Sequence, residues 1–510
     1  MKPTVEFDGL SLDLVTLNDI ALNKTEVKLN AKAKEKMLTA REYVLKIVEK
    51  GEPVYGINTG FGALSNKFIG KNDLKTLQYN LIRSHCTGIG QPLNQRLTRA
   101  MMALRANCLA SGFSGVNPEI VELILEFLNK GIHPIIPEKG SVGASGDLAP
   151  LSHIALALIG EGEVEYQGKK QETKKVLDSL GIKPAELGPK DGLALINGTA
   201  FMTAFASVAL MEAENLFKLA DICACLTVDG IKGSIRAYYP HISQLKPHPG
   251  QMDSVSNLNK ILPESEILND HHGCPKVQDP YSLRCVPQVH GACRQTFYHL
   301  KQVVETELNS VTDNPLVFVE QDQVVSGGNF HGQALSLAMD YMAMGLAEIC
   351  SISERRIEKM MNPTFSELPA FLTQSSGLNS GLMIAHVTAA ALTSENKTLC
   401  HPASIDSIPT STDKEDHVSM GPFAGRKLYQ IIENVKAVLA VEILCNTSAL
   451  DYQRPLKSSP ACEAVYEKVR EVVPKITEDR VFAYDINNII ELINKNELIE
   501  VTEKLIGELK

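Results

Sequence analysis

Four long stretches of this chain, 199–231, 332–361, 381–399 and 428–450, contain no internal proline. They are rich in Ala, Leu, Met and Glu, side chains that lose little freedom in a helix, so each is expected to be helical. A helix of about 30 residues is about 45 Å long. Text such as Met339-Asp340-Tyr341-Met342-Ala343-Met344-Gly345-Leu346-Ala347 is apolar on nearly every side. Such a helix must be covered on most faces, which calls for a large bundle or burial between subunits.

Ahead of these stretches the elements are smaller. Asn117-Pro118-Glu119 combines a capping side chain, a proline at the first helical position and an acid near the positive helix end. Ile120, Val121, Leu123, Ile124, Phe127 and Leu128 follow at helical spacing, and Gly131 stops them. Glu163-Val164-Glu165-Tyr166 before Gln167-Gly168, and Leu316-Val317-Phe318-Val319 before Asp322, read as small hairpins. The expected class is mainly α. A smaller N-terminal part with short strands and loops, 1–198, precedes a long-helix bundle and C-terminal helical part, 199–510, in one continuous catalytic body.

Composition narrows the partners. Hydrophobic residues at 44% and charged residues at 22% are globular proportions. A net charge of −10 argues against a nucleic-acid partner. The acidic start of the sequence does not resemble a signal peptide, and no uninterrupted apolar run reaches the roughly 18 residues of a membrane span. The 11 cysteines are odd in number and scattered, with no Cys-x-x-Cys pair. They read as reduced thiols, such as Cys350 and Cys445, in a cytoplasmic protein without a structural zinc.

Residues with chemical potential gather where the helical text breaks. Gly140-Ser141-Val142-Gly143-Ala144-Ser145-Gly146-Asp147 places three glycines around Ser145. It is compatible with a plain glycine-rich turn, with Asp147 capping the next helix. It fails the Gly-x-Ser-x-Gly pattern of a nucleophile elbow, because Asp147 stands where the last glycine belongs. It also has what self-cyclisation needs: an unhindered amide nitrogen at Gly146, a small residue at Ala144 whose carbonyl carbon that nitrogen attacks, and a hydroxyl leaving group at Ser145. Amides are poor nucleophiles, so the fold must strain and align such a loop.

That segment resembles the signature of the aromatic amino-acid ammonia-lyases and aminomutases, whose Ala-Ser-Gly becomes a methylideneimidazolone (MIO). The likeness runs from about Tyr55 to Met420, with further motifs in family order. It implies the family's helical architecture, a homotetramer with shared active sites, and an MIO made from Ala144, Ser145 and Gly146 with no external cofactor. Tyr55, in Tyr55-Gly56-Ile57-Asn58-Thr59-Gly60-Phe61-Gly62, matches the lid tyrosine that takes the β-proton. Arg284, in Gln278-Asp279-Pro280-Tyr281-Ser282-Leu283-Arg284-Cys285, matches the arginine that grips the substrate carboxylate, with Tyr281 and Gln278 lining the pocket. Asn197 matches the asparagine at the cofactor, and Phe330 the aromatic beside the electrophile.

Two positions bear on the substrate. The text Glu415-Asp416-His417-Val418-Ser419-Met420 is similar to that of the histidine-directed members, and phenylalanine-directed members usually carry an amide where Glu415 stands. Glu415 would act on the imidazole or on the amine. Ser84-His85 matches the selectivity site, where histidine-directed members carry Ser-His. The resemblance therefore implies elimination of ammonia from L-histidine to trans-urocanate, the first step of histidine degradation. Ala200 and Lys414 depart from residues common in that branch. Alternatives on the same scaffold are a tyrosine or phenylalanine lyase or an aminomutase. Two readings of another class are a non-enzymatic helical scaffold and a metal hydrolase at Asp270-His271-His272-Gly273-Cys274. The latter lacks supporting ligand spacing, so no metal is expected.

Overall fold

The computed structural model describes residues 2–60, 62–64, 66–271 and 277–510. It is mainly helical, as the sequence implies. Helices span Ala200–Gly230, Gln333–Met361 and Met383–Leu399, within two residues of the proline-free stretches. The fourth, Gly421–Gln453, begins seven residues before the expected Leu428. Pro422 sits in its first turn, where the missing amide hydrogen costs nothing, so a residue that reads as a breaker here opens the helix.

The described chain forms two compact units, interleaved in sequence. One comprises Met1–Val208, Leu300–Asp340 and Pro402–Arg426, and the other Ala209–His299, Tyr341–His401 and Lys427–Lys510.

The first unit carries the short strands. Thr4–Phe7 pairs in parallel with Glu26–Leu29. The hairpin Glu163–Tyr166/Lys169–Glu172 and the pair Leu316–Phe318/Gln323–Val325 form where the alternating text placed them. Helix Pro118–Lys130 is capped by Asn117, whose side chain accepts from the Glu119 amide at 3.2 Å, and ends at left-handed Gly131. Ile120, Val121, Ile124, Phe127 and Leu128 are all buried.

The second unit is a bundle with an ionic core. Arg356 meets Glu442 through two hydrogen bonds, Nε to Oε1 at 2.5 Å and Nη2 to Oε2 at 3.0 Å, both side chains fully buried. Thr227 and Ser353 also donate to Glu442. The pairing ties the helices bearing residues 227, 353–356 and 442 together with directional bonds that apolar packing alone lacks.

Helix Gln333–Met361 is the one helix, among the described residues, long and apolar enough to cross a membrane, and 67% of its apolar window is buried within the protein. The described cysteines are all free.

Candidate active site

The site is built on backbone that few residues tolerate. In the glycine-rich loop, Gly143, Ser145 and Gly146 have φ of +80°, +51° and +79°. Glycine adopts these angles freely, whereas Ser145 is strained by its Cβ. The loop is pressed against a second glycine: Gly146 bridges to Gly198, and the Asp147 amide donates to the Gly198 carbonyl at 2.7 Å. A side chain at position 146 would run into that carbonyl.

Asp147 does not cap the helix that follows it, Leu148–Leu158. Its Oδ2 accepts instead from the amides of Phe201 and Met202, at 2.8 and 3.1 Å, in the first turn of Ala200–Gly230. Those amides lack helical partners, which makes them ready donors to a carboxylate. Asp147 Oδ1 is buried without a partner. Burial pushes the Asp147 carboxyl up to about 8, partly opposed by the Met202 and Phe201 amides.

Ser145 Oγ donates to Glu415 Oε1 at 3.2 Å, and Thr410 Oγ1 donates to Oε2 at 2.9 Å. Two cavities meet at these residues. One, of about 550 Å³, is lined by Tyr55, Asn80, His85, Ser145, Asn197 and Glu415, with Leu81, Leu193 and Ile196 as its apolar wall. The other, of about 810 Å³, shares Tyr55, Ser145 and Glu415 and adds Ala144, Phe330, His331 and His417. A site with apolar walls and a few convergent polar groups is what a small ligand needs.

Electrostatics fix the protonation of two members. Burial raises the Tyr55 phenol; the Gly62 amide lowers it in part, and Glu415 raises it further. Burial lowers the His85 imidazole despite the opposing effects of the Leu81 carbonyl and Glu415. His85 is therefore neutral near pH 7. Its Nδ1 lies 2.8 Å from the Leu81 carbonyl, which can only accept, so that nitrogen carries the hydrogen. Nε2 is left as an acceptor. Asn197 donates from Nδ2 to the Asn314 carbonyl at 2.9 Å, while its buried Oδ1 has no partner.

Comparison with known proteins decides the family. The family model described as aromatic amino acid lyase matches residues 12–471. The chain is 46% identical to the histidine ammonia-lyase of Natranaerobius thermophilus, over 99% of this chain and all of that one. The chain belongs to the aromatic amino acid lyase family.

Solved structures agree. The crystal structure of histidine ammonia-lyase from Trypanosoma cruzi superposes with a TM-score of 0.92 at 42% identity, covering 99% of this chain and 96% of that one. Tyrosine aminomutase from Streptomyces globisporus matches at 0.93 and 37% identity, with both chains fully covered.

Within this lyase, the structure brings Tyr55, His85, Ala144, Ser145, Asn197, Phe330 and Glu415 to the two adjoining cavities, with Gly146 in the loop beneath. Gln278, Tyr281 and Arg284 are not among the lining residues and belong to the second unit. There the Arg284 guanidinium lies 4.5 Å from the centre of the exposed Tyr281 ring. Phe61 of the tyrosine loop and 272–274 of the Asp270–Cys274 stretch lie outside the described residues.

Sequence reasoning missed several members. Ser411, Thr412 and Asp413 are consecutively left-handed, and the first two line the smaller cavity. Their Ser/Thr/Asp text signals a turn but gives no address for it. His331 and His417 stack at 5.8 Å with rings 5° from parallel. His331 directly follows Phe330, and His417 lies two residues after Glu415.

Proposed function

We propose that this lyase eliminates ammonia from L-histidine to give trans-urocanate, using an electrophile made from Ala144, Ser145 and Gly146. The observation that carries the substrate choice is the pairing of His85 and Glu415 in one cavity with Ser145 and Tyr55. A neutral His85 with Nε2 as acceptor, and a carboxylate able to accept a second hydrogen bond, suit an imidazole N–H. A benzene ring would offer no hydrogen to either, leaving the His85 acceptor without a donor, which a polar site rejects strongly. The names of the relatives at 46% and 42% identity point the same way.

The residues present fit an MIO. Ser145 is already in strained left-handed backbone, Gly146 has no side chain to block its nitrogen, and the Asn197 amide, with its unpartnered buried oxygen, lies in the same cavity wall. When formed, that group supplies an electrophilic carbon for the substrate's amine. Tyr55 is the residue placed to take the β-proton. Its phenol is raised by burial, so it works as a base only once a closed, charged site lowers it, and the Gly62 amide is the donor on hand to begin that. Glu415 orients the imidazole or the amine, and Phe330 and the leucine wall exclude water.

The α-carboxylate is assigned to Arg284, whose planar fork matches it, with Tyr281 and Gln278 beside it. We place these three at the site of a neighbouring copy in a homotetramer. Exposed apolar residues on the long helices, among them Leu337, Tyr341, Met344, Ile384 and Val387, supply surface for such contacts. Sedimentation of an active protein as a monomer at micromolar concentration would refute this. The reading goes with a cytoplasmic enzyme.

The test mixes the purified protein separately with L-histidine, L-tyrosine and L-phenylalanine and follows the ultraviolet absorbance of each conjugated product. Urocanate from histidine alone is expected. Coumarate or cinnamate would keep the chemistry and overturn the roles of His85 and Glu415. A β-amino acid as product would make the chain an aminomutase.

A further inference from the structure

Lys190 is a lysine without solvent. It is fully buried, and its φ of +71° is a left-handed conformation that strains any residue with a side chain. Its Nζ donates to Asp313 Oδ2 at 2.6 Å, with both partners wholly inaccessible. Arg105, equally buried, donates from Nη2 to the Ala194 carbonyl and stands 3.9 Å from Asp313 Oδ1. Apolar residues of similar volume often replace buried ion pairs without loss of stability. Stability alone is therefore a weak reason for two cations and a carboxylate at this point.

The surroundings suggest a stronger one. Lys190 opens the short helix Asp191–Ile196, and Asn197 is the residue just past its end. Asp313 is flanked by two residues that hold the same segment: Thr312 Oγ1 accepts from the Thr199 amide at 3.4 Å, and the Asn314 carbonyl accepts from Asn197 Nδ2 at 2.9 Å. Arg105 packs directly under Gly198, where a Cβ would stand 2.5 Å from its Nη1 and 2.8 Å from Thr312 Oγ1. Segment 190–199 is thus fastened to 312–314 at both ends, and Gly198 is the surface against which Gly146 and Asp147 are pressed.

We propose that the Lys190–Asp313–Arg105 cluster is a positioning device that holds Asn197 and Gly198 against the 144–146 loop and so sets the rate of its self-cyclisation. The inference rests on the reading of Ala144-Ser145-Gly146 as the source of the electrophile. In that step the Gly146 nitrogen bonds to the Ala144 carbonyl carbon. The carbonyl oxygen leaves as water with the amide hydrogens of Gly146 and Ser145. The Ser145 hydroxyl leaves as a second water with the serine α-hydrogen. No oxidant or reductant is needed, so alignment is the main thing the fold must provide, and small misplacements of reacting atoms cost rate steeply.

The test follows the intact mass of freshly synthesised protein over time. Lys190→Met is expected to slow the appearance of the species lighter by two waters by about tenfold or more, and Lys190→Arg, which keeps the charge, to recover most of the rate. The double variant Lys190→Gln/Asp313→Asn replaces the ion pair with a neutral amide pair. It is expected to melt cooperatively and still dehydrate slowly. Dehydration at the wild-type rate in folded Lys190→Met or in the folded double variant would overturn the proposal. Loss of cooperative melting in both would assign the cluster to folding alone and overturn it as well. A wild-type chain that stays at its full sequence mass would refute the electrophile reading instead, a separate outcome.

Discussion

Asp147 and Asp221 are both fully buried carboxylates, and the protein treats them in opposite ways. In the second unit, Asp221 takes four donors: Ser254 Oγ at 2.8 Å, His290 Nδ1 at 2.7 Å, Asn257 Nδ2 at 2.9 Å and Arg294 Nη2 at 2.7 Å. Burial alone would raise it, but Arg294 and His290 outweigh that and hold it at about 2. In the first unit, Asp147 has two backbone amides on one oxygen and nothing on the other, and burial lifts it to about 8. The Asp221 carboxylate is saturated with donors, whereas the loop region leaves Asp147 partly unanswered beside strained Ser145 and Gly146. Unmet polar groups and strained backbone persist only where surrounding structure enforces them, and they collect where chemistry happens.

The contrast separates what mutations should do. Ser145→Ala removes the leaving group of the cyclisation. Histidine turnover is expected to fall by at least about a thousandfold, with the melting temperature close to wild type. A folded Ser145→Ala protein with substantial activity would break the distinction at its root. Glu442→Gln strikes the saturated core and strands Arg356 in a dry interior. A loss of about 3–5 kcal/mol is expected, seen as a large drop in melting temperature, with near-normal turnover per folded chain. An unchanged melt would show that the bundle does not depend on this pair.

Smaller effects sharpen the same line. His85→Phe should reduce kcat/KM for histidine by about a hundredfold while raising it for phenylalanine, since the change exchanges an acceptor for an apolar face. Equal losses on both substrates would give His85 a structural role.

The pH responses should run in opposite directions. The folded-state value of Asp147 lies above its usual range, so its contribution is full below about pH 4 and is lost as pH rises towards about 8. Asp221 is depressed, so its contribution is full above about pH 4 and is lost as pH falls towards about 2. Asp147→Asn should flatten the decline in melting temperature between about pH 5 and 8 and leave acid unfolding unaltered. An identical slope in the variant would remove Asp147 from the ledger.

Local signals made much of this legible in sequence. The helix Ala200–Gly230 followed from an uninterrupted run of helix formers, and Pro118–Lys130 from its cap and stop residues. The Gly140–Asp147 text announced unusual backbone, because glycines so placed are needed only where φ is positive or another chain segment comes close. What could not be read was long-range. Asp147 looks like the cap of its own helix, and only the fold delivers the first turn of Ala200–Gly230 to it. Lys190 stands in Gly188-Pro189-Lys190-Asp191, text that reads as a solvated turn, and its partner is 123 residues away. Ser145 and Glu415 meet across 270 residues. The start of Gly421–Gln453 lies ahead of the expected Leu428 for a local reason, since a proline breaks a helix interior but suits its first turn.

The most direct measurement is the intact mass of the purified wild-type chain beside Ser145→Ala. A wild-type mass short of the sequence mass by two waters, with the variant at full mass, is the expected result. A wild-type chain at full mass that still releases ammonia from histidine would contradict the idea that the strained loop makes the electrophile.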